Sequence, residues 1–161
     1  MLVSMFGAAL LTGVLQDAAP SGWRVAELKD EMTDAVTVVA VVETETARLT
    51  VGCDGRLYMR LTTVEYLGRG SAEVGRNLVF RVDDRPLYAQ GGRWNYGPNQ
   101  ALNRNAIDDL VGRWAGGESV LVRAKTYDHR DVDERFGLEG AADAIAQVYA
   151  ACGQQSPLPV G

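Results

Sequence analysis

The run Val36-Thr37-Val38-Val39-Ala40-Val41-Val42-Glu43-Thr44 constrains the fold more than any other part of the chain. It is β-branched nearly throughout, and such side chains lose rotamer freedom in a helix but pack well on a pleated surface. Val36, Val38, Ala40 and Val42 share one face, while Val39 and Val41 share the other. Apolar residues on both faces predict a central, covered strand.

The neighbouring segments extend this strand into a sheet. Trp23 to Lys29 reads as a short strand, and Asp30 to Asp34 as a polar turn in which Asp34 bonds forward to backbone N–H groups. Ala47 to Cys53 and Arg56 to Thr62 read as a hairpin around Asp54-Gly55, a dipeptide suited to a tight two-residue turn. Leu49, Val51 and Cys53 then face the same side as Leu57, Met59 and Leu61. Asn77 to Asp83 and Val120 to Tyr127 read as further strands, with Leu78, Phe80 and Val82 inward.

Two helices follow from period and caps. Ile107, Leu110, Val111 and Trp114 recur at helical spacing behind a candidate N-cap, Asn105, with Asp108 and Asp109 placed in the first turn. Ala141, Ile145, Val148, Tyr149 and Cys152 form the apolar stripe of a second helix, closed by Gly153. The expected fold is α+β: a β-rich antiparallel sheet or small sandwich packed by two amphipathic helices. The long segment from Asp84 to Asn103, the segment Gly68 to Gly75 and the charged stretch Asp128 to Glu134 read as loops, and Phe136 to Leu138 as short and extended.

Residues 2–15 carry no charge and are almost all apolar or small. The run is too short to span a bilayer, which takes roughly 20 residues, and matches the apolar region of a secretory signal peptide. The chain is therefore divided into a signal peptide over 1–19, one β-rich domain over 20–153 and a loose tail over 154–161, with no membrane span in the mature chain. No basic residue precedes the apolar run and Gln16-Asp17-Ala18-Ala19 is a poor cleavage site; a buried N-terminal helix is the alternative. Export puts Cys53 and Cys152 in an oxidising compartment, where a pair of cysteines can form one disulfide. Two buried free thiols are the alternative.

Composition now narrows the chemistry. The 161-residue chain has 21 acidic and 16 basic side chains, a net charge of −5, which disfavours a nucleic-acid binder. One histidine, His129, and two cysteines exclude structural zinc sites and leave little for a histidine-dependent triad. No nucleophile elbow joins His129 to Ser71 or Ser119. The residues 68–75 lack the lysine of a phosphate loop, and the acids of 128–134 lack the glycine and spacing of a calcium loop. We expect no enzyme activity, no metal and no cofactor.

Two places suit binding. Gly91 to Gln100 combines glycines, aromatics and amides, and its centre, Arg93, Trp94, Asn95 and Tyr96, could stack on and hydrogen-bond a partner. Alternatively Trp94 fills the core. Strand alternation also puts Arg48, Arg60, Arg81 and Arg123, with Arg56 and Lys125, opposite the inward apolar residues. Such a basic face could grip carboxylates or phosphates in bidentate fashion, or be a solvated outer face with cross-strand pairs.

The order of motifs carries a resemblance. A tryptophan-led strand precedes Met32-Thr33-Asp34. Leu49-Thr50-Val51-Gly52-Cys53 and the return Leu57-Tyr58-Met59 follow, then Val79-Phe80-Arg81-Val82-Asp83 and the loop residue Trp94. Leu121-Val122-Arg123, Phe136-Gly137-Leu138-Glu139-Gly140-Ala141 and Ala151-Cys152-Gly153 complete the series. Over residues 23–153 this resembles the VasI/TagO family of periplasmic proteins associated with type VI secretion. Asn95, rather than serine, follows Trp94, and the chain is compact between Thr44 and Leu49. The resemblance implies a periplasmic accessory protein with an envelope protein or a peptidoglycan-associated partner, and no catalytic residues. A small periplasmic inhibitor, a cell-wall-binding module and an uncharacterised hydrolase are the alternatives; the sequence leaves oligomeric state open.

Overall fold

The structure, a computed structural model, describes residues 22–65, 78–89, 104–126 and 128–159. The apolar leader, the Arg93–Tyr96 stretch, the Gly68–Gly75 segment and Ser71 lie outside the described residues. Ten elements follow in order: β1 (Arg24–Lys29), β2 (Val36–Glu43), β3 (Ala47–Cys53), β4 (Leu57–Thr63), β5 (Val79–Val82), β6 (Tyr88–Ala89), α1 (Arg104–Gly112), β7 (Ser119–Lys125), β8 (Asp131–Gly137) and α2 (Ala141–Ala151). They form an α+β fold with two four-stranded antiparallel sheets, ordered β1-β2-β3-β4 and β6-β5-β7-β8.

The first sheet follows the chain as a meander, so every strand pairs with its sequence neighbour. β2 lies inside it, with Ala40 opposite Val51 and Val42 opposite Leu49. Its residues Val39 to Val42 are all buried, which accounts for apolar side chains on both faces. The β3–β4 connection has three residues, Asp54, Gly55 and Arg56, because Cys53 pairs with Leu57. This corrects the expected two-residue turn. Gly55 has φ 91°, which suits the left-handed position common in three-residue hairpins. In the β1–β2 turn the forward-bonding carboxylate is Asp30, which accepts from the N–H groups of Met32 (2.8 Å) and Thr33 (3.1 Å). Asp34 instead takes a positive φ of 56°.

The second sheet contains a strand that sequence reading assigned largely to a loop. Residues 131–137 pair with β7 over its whole length, from Ser119↔Gly137 to Lys125↔Asp131. The charges of β8 concealed its alternation: Asp131, Asp133 and Arg135 stand opposite Lys125, Arg123 and Leu121 on one face, while Phe136 is buried on the other. The helix α1 starts at Arg104, so Asn105 is its second residue and not its cap, and Asp108 and Asp109 fall beyond the first turn. Gly140 at φ 74° precedes α2, and Gly153 at φ 64° follows it.

Both sheets and both helices contribute to one contiguous core. Trp23 ties its parts together: its ring centre lies 5.7 Å from that of Trp114, and its Nε1–H donates to the Gly137 carbonyl at 2.9 Å. The Tyr149 hydroxyl donates to Asp108 at 2.7 Å, joining α2 to α1. At one end the sheets meet through Glu134, which accepts from the Thr44 (3.1 Å) and Thr46 (2.7 Å) hydroxyls. Of the expected tail over 154–161, residues 154–159 are described. Leu158 is buried in the core, and Pro157 lies against Gly112.

Candidate functional site

Cys53 ends β3 on the core side, and Cys152 caps α2 on its buried stripe. They form a disulfide with Cα atoms 5.7 Å apart across 99 positions of sequence. The link fixes the last helix to the hairpin end of the first sheet, and so fixes what the outer surfaces can present. None of the helices among the described residues is long and apolar enough to cross a membrane.

The arginines selected by alternation do point away from the core, but they divide between two sheets. Arg48 and Arg60 belong to β3 and β4 of the first sheet; Arg81 and Arg123 belong to β5 and β7 of the second. On the second sheet Arg123 and Lys125 pair across to β8. Arg123 donates from Nε and Nη2 to Asp133 at 2.6 and 2.5 Å, and Lys125 pairs with Asp131 at 2.5 Å. The Arg123 guanidinium holds the Asp133 carboxyl below its usual range. Arg81 lies 3.9 Å from Asp84. Arg56 sits exposed in the hairpin turn.

The first sheet gathers its arginines on one face. Its outer face carries Arg24 opposite Val41, Arg60 opposite Thr50, and Arg48 opposite Glu43. Glu43 pairs with both Arg24 and Arg48, which lower its pKa, Arg24 foremost. Glu43 thus bridges Arg24 and Arg48 on this face. Tyr58 crosses the middle of the face. Its ring lies against Gly52, where an added Cβ would come within 2.3 Å of the ring carbon Cζ. Burial raises the Tyr58 pKa, and the Arg60 guanidinium lies 5.7 Å from the ring centre. Sequence reading did not include Arg24 or Tyr58; both could have been found by continuing the same period-two count into the adjoining strands.

The acids of 128–134 each meet a protein partner. Asp128 accepts from Thr126 and Arg130, and these two bonds lower its pKa to about 2. Asp131 and Asp133 pair across to β7, and Glu134 binds the two threonines. Among the described residues, no three histidine, cysteine or carboxylate side chains converge as metal ligands. His129 occupies the β7–β8 turn at φ 67°, whereas Ser119 begins β7 at the other end of the hairpin. Six strand steps separate that end from Lys125, about 20 Å at 3.3 Å per residue. Ser119 accepts from Arg135 at 3.0 Å and shares hydrogen bonds with Asp83. A hydroxyl activated by His129 does not arise from this pair.

A concave site lies where sequence reading saw only connection. Between the β5–β6 connection and α1 is a cavity of about 350 Å³ with Phe80, Val82 and Leu110 among its walls. The Arg113 guanidinium stacks 4.0 Å above the Tyr88 ring centre and donates from Nε to Asp109 at 3.3 Å. The Tyr88 hydroxyl also bonds Asp109, which raises the phenol pKa and lowers the carboxyl's. Arg85 donates to the carbonyls of Arg113 (2.9 Å) and Ala115 (3.0 Å), just beyond the end of α1. The apolar Pro86-Leu87 pair within an otherwise polar stretch was the available signal.

By its architecture the described chain is a disulfide-linked α+β domain of two antiparallel sheets. Compared with family models, curated proteins and solved structures, the chain matches none of them.

Proposed function

We propose that this chain is a non-catalytic accessory or binding protein of the bacterial periplasm. The disulfide between Cys53 and Cys152 carries the reading, because such links persist in oxidising compartments and are rare in the cytosol. The reading takes the uncharged apolar run of residues 2–15 as part of an export signal over 1–19. The motif order that resembles the VasI/TagO family directs the proposal further, to a role in assisting a type VI secretion apparatus. In this reading the outer face of the first sheet meets an anionic surface on an envelope partner. Its support is the placement of Arg24, Arg48 and Arg60 on one face of one sheet. Guanidinium forks bind carboxylates in pairs, and contacts between exposed charges weaken as salt rises.

The experiment is an in-cell crosslink of the tagged protein, with partners identified by mass spectrometry. The expected result is capture of secretion-apparatus components by the native chain and their loss from the double variant Arg48→Glu, Arg60→Glu. Capture of a wall hydrolase or peptidoglycan fragments alone would overturn the secretion role in favour of an inhibitor or wall-binding module. Equal capture by the double variant would remove the arginine face from the account.

A further inference from the structure

The edge strands of the two sheets differ in what they leave open. On β8 the Gly137 carbonyl accepts from Trp23, and Glu134 is held by two threonines of the first sheet. Ahead of β1 the Trp23 N–H donates to the Glu139 carbonyl at 3.4 Å. Beyond it, residues 24–29 make no backbone hydrogen bond outside the ladder to β2 among the described residues. The Asp30 N–H donates to the Ala35 carbonyl at 2.9 Å, in register with that ladder. Residues that bond to the neighbour alternate along an antiparallel strand with residues that do not. Arg24, Ala26 and Leu28 therefore bond to β2, while Val25, Glu27 and Lys29 turn their N–H and C=O groups to the open edge. Such a row of unpaired groups is a template for another strand. The same hairpin carries exposed apolar side chains, with Leu28 55%, Met32 93% and Val36 53% exposed.

The charges along this edge complement a second copy of it. Two β1 strands related by a two-fold axis pair antiparallel, and the free backbone groups require odd-numbered residues to face odd-numbered ones. An axis at Glu27 or at Lys29 would set like charges against each other. An axis at Ala26 would draw Trp23 into the ladder, and its N–H is already committed to Glu139. With the axis at Leu28, Glu27 faces Lys29 of the second copy on both sides, and Leu28 meets Leu28. Lys29 lies 2.6 Å from Asp34 of its own turn, but an ammonium has three donors and retains some for a facing carboxylate.

We infer that the chain forms a two-fold dimer by antiparallel pairing of β1, with Leu28 on the axis and a Glu27–Lys29 pair on either side. The first sheets of the two copies then join into one. The pairing does not rest on the arginine face proposed above.

The test is sedimentation equilibrium of the exported chain with its disulfide intact. A concentration-dependent dimer is expected. Glu27→Lys should weaken it about tenfold or more, because like charges then face each other on both sides of the axis. The double variant Glu27→Lys, Lys29→Glu restores opposite charges and should restore the dimer. Both positions are exposed, and circular dichroism would show that the variants fold. Leu28→Cys puts thiols on a non-hydrogen-bonded pair, whose Cα atoms lie about 4.5 Å apart, within the roughly 4.4–6.8 Å that a disulfide spans. Mild oxidation should link this variant into a covalent dimer on a non-reducing gel. Met32→Cys, more exposed but off the axis, should link far more slowly. A chain that stays monomeric up to about 1 mM, the range of weak association, would overturn the inference. So would a dimer undiminished by Glu27→Lys, a double variant that fails to restore it, or equal linking at positions 28 and 32.

Discussion

Gly52 shows how much of the first sheet's outer face depends on a single missing methyl. The residue pairs with Val39 on one side and Tyr58 on the other. Because it has no Cβ, the Tyr58 ring can lie flat across the strand. An alanine there would meet ring atoms well inside van der Waals contact, and the ring would have to leave. Gly52→Ala is therefore expected to destabilise the protein by about 1–3 kcal/mol, the usual cost of overpacking a fitted site. Urea unfolding would measure it. The companion Tyr58→Ala should make the same glycine substitution nearly neutral, and additive losses in the double variant would contradict the stacking. The period-two count placed the side chains of Arg48, Arg60, Arg81 and Arg123 away from the core. It could not divide them between sheets, because alternation tells which side of a strand is polar and not which strands become neighbours.

At the scale of elements, the disulfide is the most consequential link. Cys53 and Cys152 join elements that are far apart in sequence, so the bond removes many conformations from the unfolded chain. Replacing both with serine should lower stability by about 4 kcal/mol on the loop-entropy relation. Denaturant curves at neutral pH would show this as an earlier midpoint; a loss under about 1 kcal/mol would mean that α2 docks as firmly without the bond. The hydrophobic stripe of α2 and the spacing of Cys53 on β3 were readable beforehand, since both depend on local period. The strand β8 was not. Asp131, Asp133 and Arg135 look like a solvated loop until Lys125, Arg123 and Leu121 are seen opposite them. Cross-strand charge pairs of this kind stabilise an exposed sheet face by long-range register, which a single segment does not display. The same limit applies to Asn105. Asparagine is a favoured cap by type, but α1 begins one residue earlier, and tertiary packing decides such boundaries.

At the scale of the molecule, one core unites two sheets that both carry arginines pointing away from it. The second sheet pairs Arg123 and Lys125 with β8 carboxylates, while on the first Glu43 bridges Arg24 and Arg48. The α+β class and the disulfide were approachable from sequence. The cavity at Tyr88 and Arg113 was not, because it forms only when β6 and α1 come together. The central claim is that this domain works as an oxidised, exported binding protein. The most direct measurement traps thiols in intact cells with an alkylating agent, fractionates the envelope and sequences the N-terminus of the recovered chain. The account predicts a chain in the periplasmic fraction that starts near Pro20 and in which Cys53 and Cys152 alkylate only after reduction. A cytoplasmic chain that retains Met1 and carries both cysteines as free thiols would contradict it.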